Sequence, residues 1–353
     1  METEFIINKE DVILVTGANG FIGSRVVDVL LRYGFNNLRC FVRSTHHSDK
    51  LNKTISLNGN ANIEIISGNL LSISDCKNAT KNVSAVYHLA AGRGEKSYAS
   101  AVLNSVVTTR NLLDSIKDHR GLKRFVNVGS ITVYSKNKLK MNGLLDETCE
   151  IENMPAKRGE AYCYAKIKQD EIVMDYNRKF EIPYVIVRPG AVYGPGNESI
   201  SGRVGIDTFG IFLHFGGNNR IPLTFVDNCA ECIVLAGIIK GIDGNIFNVI
   251  DDQAPTSRHF LSLYKKNVYK FRSMSVPKVF SYLFCYLWEK YSDWSMGQLP
   301  PVFNRNRWAS DWKPTVYSNK KAKELLGWNP RIPFAEAMKI YFEACNIKRR
   351  GNA

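Results

Sequence analysis

Residues 11 to 43 constrain this chain more than any other stretch. An apolar run from Asp11 to Thr16 meets Gly17-Ala18-Asn19-Gly20-Phe21-Ile22-Gly23. A helical pattern follows, with Val26, Val27, Leu30 and Leu31 on one face, and a second apolar run, 38–42, ends at Arg43. The order is strand, glycine turn, helix, strand. Gly17 permits the tight turn, Gly20 lets a pyrophosphate approach the backbone, and Gly23 lets the helix pack close to the sheet. N–H groups at the helix start then face the phosphates, helped by the helix dipole. Glycines also make plain turns, so the case for a dinucleotide rests on this order of elements.

Arg43 refines the cofactor. The end of the second strand meets the adenosine ribose, where an acid suits NAD and an arginine suits the 2′-phosphate of NADP. Arg39 and Arg43 stand around that strand end, and no acid follows until Asp49. The pattern favours NADP, with NAD the alternative, since nearby residues can reverse the choice.

The rest of the chain is compatible with a large α/β protein. It has 353 residues, enough for one large unit or two intimate lobes, and 44% hydrophobic against 23% charged residues is a globular balance. Apolar runs at 63–66, 83–89, 125–128 and 184–187 read as buried parallel strands. Helical patterns lie between them, near 97–117 and 160–179. Repeated β–α units of this kind predict a doubly wound parallel sheet of the Rossmann type. After Arg188-Pro189-Gly190 the pattern breaks into loops, short strands and short helices. The expected division is a dinucleotide-binding domain, 1–190, interleaved with a smaller substrate-binding lobe, 191–353.

Charge and cysteines narrow the function classes. The net charge of +14 is spread along the chain, which favours an anionic ligand or surface, or simply solubility. No arginine-rich tract or zinc-finger spacing appears, so nucleic acid is not an expected partner. Of eight cysteines only Cys229 and Cys232 have CxxC spacing, in an apolar helical pattern that reads as buried thiols; no metal is expected. There is no secretory apolar region at the start and no run of about 18 apolar residues, so a cytoplasmic location is expected. One segment stands apart. Residues 275–297 are rich in large apolar and aromatic side chains, among them Phe280, Leu287 and Trp294, flanked by Lys278, Glu289 and Lys290. Such a helix lies on a membrane surface, caps a pocket or packs on a subunit.

Three residues carry chemistry. Tyr162 and Lys166 stand at i and i+4 on one helix face. An ordinary tyrosine, with a pKa near 10, is a poor base at neutral pH, and an ammonium one turn away favours its phenolate. Earlier, a strand ends at Asn127-Val128-Gly129-Ser130, placing the Ser130 hydroxyl at the edge where such sheets bind ligands. The alternative is a surface Tyr/Lys pair with a turn serine.

Together these motifs resemble the extended short-chain dehydrogenases/reductases, the branch with nucleotide-sugar epimerases and dehydratases. The family's glycine motif matches 16–23, with Gly17, Asn19, Gly20, Phe21, Ile22 and Gly23 against the cofactor. Its adenine-contacting Gly-Asp-Leu stands here as Gly68-Asn69-Leu70, with Asn69 in place of Asp. His88-Leu89-Ala90-Ala91-Gly92 matches the strand end that runs past the cofactor, and 188–196 matches the arginine-proline motif that opens the substrate lobe. Val226-Asp227-Asn228 and 325–330 match later landmarks. The resemblance implies cofactor contacts at Arg43, Asn69, Leu70, Leu89, Ala90, Ala91, Tyr162, Lys166 and Pro189. It implies substrate contacts at Gly92, Thr132, Ala191 and Arg220. It also implies a homodimer through helices 97–117 and 160–179.

Two departures matter. The family's 4,6-dehydratases carry an Asp-Glu pair where Ile131 and Thr132 stand, so dehydration is disfavoured. Its epimerases often have asparagine at the place of Ala191 and an arginine near Ile221, one place from Arg220. The expected activity is NAD(P)-dependent 4-epimerisation or 4-keto reduction of a sugar, nucleotide- or lipid-linked. In it Tyr162 transfers the oxygen's proton, Lys166 tunes Tyr162 and holds the ribose, and Ser130 orients the oxygen. The runner-up is a dehydrogenase of a bulky apolar alcohol. A non-catalytic NADP sensor is a third class, against which the intact Ser130, Tyr162 and Lys166 set argues.

Overall fold

In the computed structural model, residues 4–44, 49–59, 61–92, 97–296, 298–300 and 302–351 are described, without the side chains of residues 49 and 50. The side chain of Asp49, the next acid after Arg43, and Gly297 at the end of the aromatic segment lie outside this description. The first strand is β1, Ile13–Thr16, followed by α1, Gly23–Arg32, and β2, Asn37–Val42. Next come β3, Asn62–Ser67, β4, Ala85–His88, and β5, Arg124–Val128. Two later strands, Tyr184–Pro189 and Ile246–Val249, complete a seven-stranded parallel sheet. Its order is Ile246–Val249, Tyr184–Pro189, β5, β4, β1, β2, β3. Ile13 pairs with Leu38 on one side and Ala85 on the other, so the winding reverses at β1. A crevice opens at the carboxyl ends of strands at such a reversal, and that is where ligands bind.

Both sheet faces are covered, which is why the central strands are buried along their length, whereas the edge strand β3, with the sequence NIEIIS, alternates. Ile13 and Val15 point into a core shared with Val26, Val27, Leu30, Ile233 and Ala236. Leu14, between them, points into the opposite core with Leu112, Leu113, Ile116 and Val173. The helix Val226–Ile238 of the first core and the strand Ile246–Val249 both come from beyond residue 190. The C-terminal part thus re-enters the sheet. Asn228 ties it together, donating to Asp251 Oδ1 at 3.1 Å and accepting the indole N–H of buried Trp328 at its carbonyl, at 3.0 Å.

The expected helix near 97–117 forms with a difference. It runs α-helical over Tyr98–Ala101, widens into a π-turn over Val102–Val107, and is α-helical again over Thr108–Ile116. Thr108 and Thr109 hydroxyls donate back to the Asn104 and Ser105 carbonyls at 3.0 and 2.6 Å, competing with the backbone N–H groups. The helix expected at 160–179 is Ala161–Phe180, ended by Glu181 in the left-handed region at φ 57°.

Beyond the sheet, Gly205–Thr208, Ile211–His214 and Ser273–Ser275 form a small sheet. The aromatic segment forms the helix Lys278–Trp294, and the helix Arg305–Trp312 packs beside it. Among the described residues no helix is long and apolar enough to cross a membrane. Cys229 and Cys232 are fully buried free thiols.

Candidate active site

The glycine turn is built as a cradle. Gly17 has φ +71°, and a Cβ there would lie 3.2 Å from the Ala90 backbone nitrogen. A Cβ on Gly23 would fall 2.1 Å from the Gly17 carbonyl oxygen, so only glycine lets α1 start this close to β1. Ile22 at the N-cap offers no side-chain acceptor, and the first turn of α1 holds no acid. The helix start therefore presents its positive end to an anion.

A cavity of about 960 Å³ runs from this turn across the crevice. Its walls include Gly17, Asn19, Gly20, Phe21, Ile22, Gly23, Arg43, Asn69, Leu70, Leu89, Ala90, Ala91 and Gly92. Farther along they include Ser130, Thr132, Tyr162, Lys166, Pro189 and Ala191. Arg220 is not on this wall. Alternation of the extended chain turns Ile221 inward, 2% exposed, and leaves Arg220 in solvent with its backbone bridged to Thr256. Arg39 and Arg43 also separate. Arg39 pairs with Glu64 of β3 at 2.7 Å and donates to the Ala79 and Lys81 carbonyls, whereas Arg43 lines the cavity. Asn69 Oδ1 accepts the Leu71 N–H at 3.0 Å, which makes the Asn a turn residue as well as a wall residue.

The Lys166 ammonium is buried. Its Nζ donates to the Val128 carbonyl at 2.7 Å and to Gln169 Oε1 at 2.9 Å, and it lies 6.0 Å from the centre of the Tyr162 ring. Burial pushes it down from 10.5 to about 8, with the Asp170 carboxylate pulling the other way. Ser130, at the end of β5, accepts the Thr132 N–H on its oxygen at 3.2 Å. Its hydroxyl proton remains for an acceptor in the cavity.

Behind these residues lies a polar network that sequence reasoning missed. His88 is fully buried between the Thr16 and Thr109 hydroxyls, each at 2.8 Å. Thr109 also accepts from Gln169 Nε2 at 2.8 Å, so the chain of bonds reaches Lys166. Burial, and then the Lys166 charge, push the imidazole down to about 3, so it is neutral at physiological pH. Asp170 receives Arg188 through Nε at 3.1 Å and Nη2 at 3.0 Å, and Asn127 Nδ2 at 2.8 Å. This joins β5, the Tyr162 helix and the strand Tyr184–Pro189. A Cβ on Gly129 would lie 3.1 Å from Asp170 Oδ1, which explains the glycine before Ser130.

The far wall comes from distant segments. Glu160, Arg203, Arg307 and Asp311 all line the cavity. Arg158, buried, ion-pairs with Glu160 at 2.9 Å and donates to Thr132 Oγ1 at 2.9 Å and to Ser310 Oγ. Arg203 donates to the Ser310 carbonyl at 2.7 Å. Arg203 and Arg307 thus bring two guanidinium groups to this wall, Arg307 paired with Asp311 at 3.7 Å. Only the pairing of Ile131 and Thr132, which cannot titrate, was legible beforehand; the two carboxylates of the far wall carry no local motif.

A model described as the NAD dependent epimerase/dehydratase family matches residues 13–249. A dTDP-D-glucose 4,6-dehydratase of Dictyostelium discoideum is 25% identical over 69% of this chain and 60% of its own length. The mouse sterol-4-alpha-carboxylate 3-dehydrogenase, decarboxylating, is 24% identical over 94% of this chain and 90% of its own. A crystal structure of UDP-glucuronic acid 4-epimerase from Bacillus cereus, in complex with UDP-glucuronic acid and NAD, superposes with a TM-score of 0.71 at 22% identity. That superposition covers 96% of this chain and 99% of the other. The chain spans only 57–60% of the length of the first curated relatives it matches. With the family match extending from β1 to the last strand of the sheet, the chain belongs to the NAD-dependent epimerase/dehydratase family.

Proposed function

We propose that this protein is an NADP(H)-dependent enzyme acting on a secondary alcohol or ketone of a sugar, by 4-epimerisation or 4-keto reduction. The observation that carries the reading is one cavity lined by the glycine cradle, by Ser130, Tyr162 and Lys166, and by Arg203 and Arg307. The cradle fits a dinucleotide, since the space a Cβ would fill at Gly17 and Gly23 is taken by backbone. Bound there, a nicotinamide cofactor supplies hydride exchange with a substrate carbon. Ser130 donates its hydroxyl proton to the substrate oxygen and orients it. Tyr162 gives or takes the proton of that oxygen. Lys166 keeps positive charge beside the phenol and meets the nicotinamide ribose. Arg43 pairs with the 2′-phosphate, which is the ground for NADP over NAD.

Arg203 and Arg307 suit the anionic carrier of the sugar, whether a nucleoside diphosphate or a lipid-linked phosphate. A second reading, a bulky apolar alcohol, draws on Ile200, Val204, Leu223 and Phe260, which line the same cavity. The enzyme works as a homodimer through the helices Tyr98–Ile116 and Ala161–Phe180. Support comes from Tyr98 and Leu103, 36% and 46% exposed on that surface. A reducing cytoplasm suits eight free thiols.

The test is incubation with UDP-, GDP-, CDP- and dTDP-hexoses and their 4-keto forms, with and without NADPH, followed by product analysis. A C4 epimer or a reduced carbinol, abolished in Tyr162→Phe, supports the reading. Turnover of sterol alcohols but of no sugar would replace it by the second one.

A further inference from the structure

The helix Lys278–Trp294 is amphipathic inside out. The side chains it buries almost fully are Ser281, Cys285 and Ser292, while Tyr282 and Trp288 rest edge-on against Trp308 and Phe303. Ser281 Oγ accepts the Trp308 indole N–H at 2.9 Å, and Ser292 Oγ donates to the Leu299 carbonyl at 2.6 Å. The face it turns outward carries Phe280, Leu283, Phe284, Leu287, Tyr291 and Trp294, from 46% to 76% exposed. Spacing of three, four and seven residues puts these six in one stripe about 21 Å long. A helix that merely covered the protein would reverse the two faces, because large apolar groups gain most from burial. Beside the helix, Leu213 of the small sheet packs on the cluster that holds Cys285, and Ile211 and Met274 share its face of the sheet, 42% and 56% exposed.

We propose that this face docks on an anionic lipid bilayer, with the helix lying in the headgroup plane. Charge complementarity selects the occupant. Lys266, Lys270 and Arg272 are exposed in the chain leading to the helix, Lys290 is exposed on it, and Arg349 lies 4.1 Å over the Tyr269 ring beside them. Glu289, an acid of the helix, is neutralised by Arg305 at 2.9–3.0 Å. A two-fold contact through this face would bring two copies of the basic cluster together, on a chain already at +14. A negative headgroup layer offers the opposite sign, and Tyr and Trp side chains favour that layer. With few charged residues on the stripe but only 17 residues in length, the helix lies on a bilayer rather than through it. The adjoining helix Arg305–Trp312 packs on its inner face and carries Arg307 and Asp311 to the cavity. Docking therefore sets the catalytic cleft one helix layer from the lipid. The docking itself does not depend on the catalytic reading.

The experiment is co-flotation of the full chain with vesicles of phosphatidylcholine alone, or with about 30 mol% phosphatidylglycerol, at low and high salt. The expected result is binding to the anionic vesicles, weakened by salt. Two variants test the two halves of the surface: Phe280→Glu/Leu287→Glu/Trp294→Glu, and Lys266→Glu/Lys270→Glu/Arg272→Glu. All six side chains are exposed, so both variants should keep the wild-type circular dichroism and melting point. Each should bind at least about tenfold more weakly than wild type. Absence of wild-type binding at low salt overturns the proposal, as does equal binding by the first variant. A wild-type dimer that the first variant dissolves, with no vesicle binding, makes the face a protein interface and also overturns it.

Discussion

Replacing Lys166 by methionine should abolish activity while leaving the protein as stable as wild type or slightly more so. The ammonium is fully enclosed, and burial lowers it from 10.5 to about 8. That fall corresponds to about 3 kcal/mol against the charged form at neutral pH. Methionine removes this cost with little change of volume. It also strands two acceptors, the Val128 carbonyl and Gln169 Oε1, now held at 2.7 and 2.9 Å. At about 1 kcal/mol each, their loss offsets most of the gain. The expected net effect at pH 7 is a stabilisation of about 1 kcal/mol, against a loss of turnover of at least about a hundredfold. The pH dependence has a definite sign. The folded-state pKa lies below the unfolded one, so the unfolded chain binds more protons between about pH 8 and 10.5. Wild-type stability therefore rises through that window by up to about 3 kcal/mol relative to the variant, so the variant's advantage at pH 7 vanishes and then reverses as pH increases. Urea unfolding of both proteins at pH 7 and near pH 10 measures this. At pH 7, a variant destabilised by about 2 kcal/mol or more would refute the idea that the buried ammonium is a structural cost kept for chemistry.

Further expectations concern the same cleft. Tyr162→Phe keeps the ring and should cost at least about a hundredfold in turnover with cofactor binding near normal; activity within a few-fold of wild type would remove Tyr162 from the mechanism. Arg43→Asp should reverse the preference from NADPH to NADH in fluorescence titrations, and a wild type that already prefers NADH would show that Arg43 was misread. Gly23→Ala puts a methyl 2.1 Å from the Gly17 carbonyl, so α1 must shift; a loss of about 1–3 kcal/mol and of cofactor binding is expected, and a crystal structure with α1 unmoved would contradict it. Nucleoside-diphosphate hexoses should not lose water with this enzyme, because Ile131 and Thr132 cannot titrate and Glu160 is held by Arg158. Mass spectrometry showing that loss in wild type but not in Glu160→Gln would assign the missing acid to Glu160.

What the sequence discloses here follows from how local each signal is. The β1–α1–β2 unit is readable because glycine spacing and apolar periodicity act over a few residues. The chemistry at Tyr162 and Lys166 is readable for the same reason, since four residues on a helix define a shared face. Arg39 illustrates the limit. Nothing near it distinguishes it from Arg43, and its partner Glu64 becomes a neighbour only once β2 pairs with β3 in register. Arg220 stands off the cavity wall for a related reason: one place along an extended chain exchanges core for solvent.

The far wall was hidden by distance rather than by weak patterns. Arg158 and Ser310 are 152 positions apart, yet their side chains bond in the interior. An arginine is ordinarily read as a surface residue, and only the fold shows that this one holds Thr132, Glu160 and the helix Arg305–Trp312 together. The same arrangement gives a reason for the π-turn at Val102–Val107. Asn104 and Thr108 line the cavity from that turn, while Ser105 and Thr109 face the buried network behind it. A regular α-helix spaces such faces by 100° per residue; one widened turn re-aims them, so that a single helix serves the cavity and the His88 network at once. Strain of this kind is kept where a site requires it. The turn, the glycine cradle and the buried Lys166 ammonium all stand along the same 960 Å³ cleft.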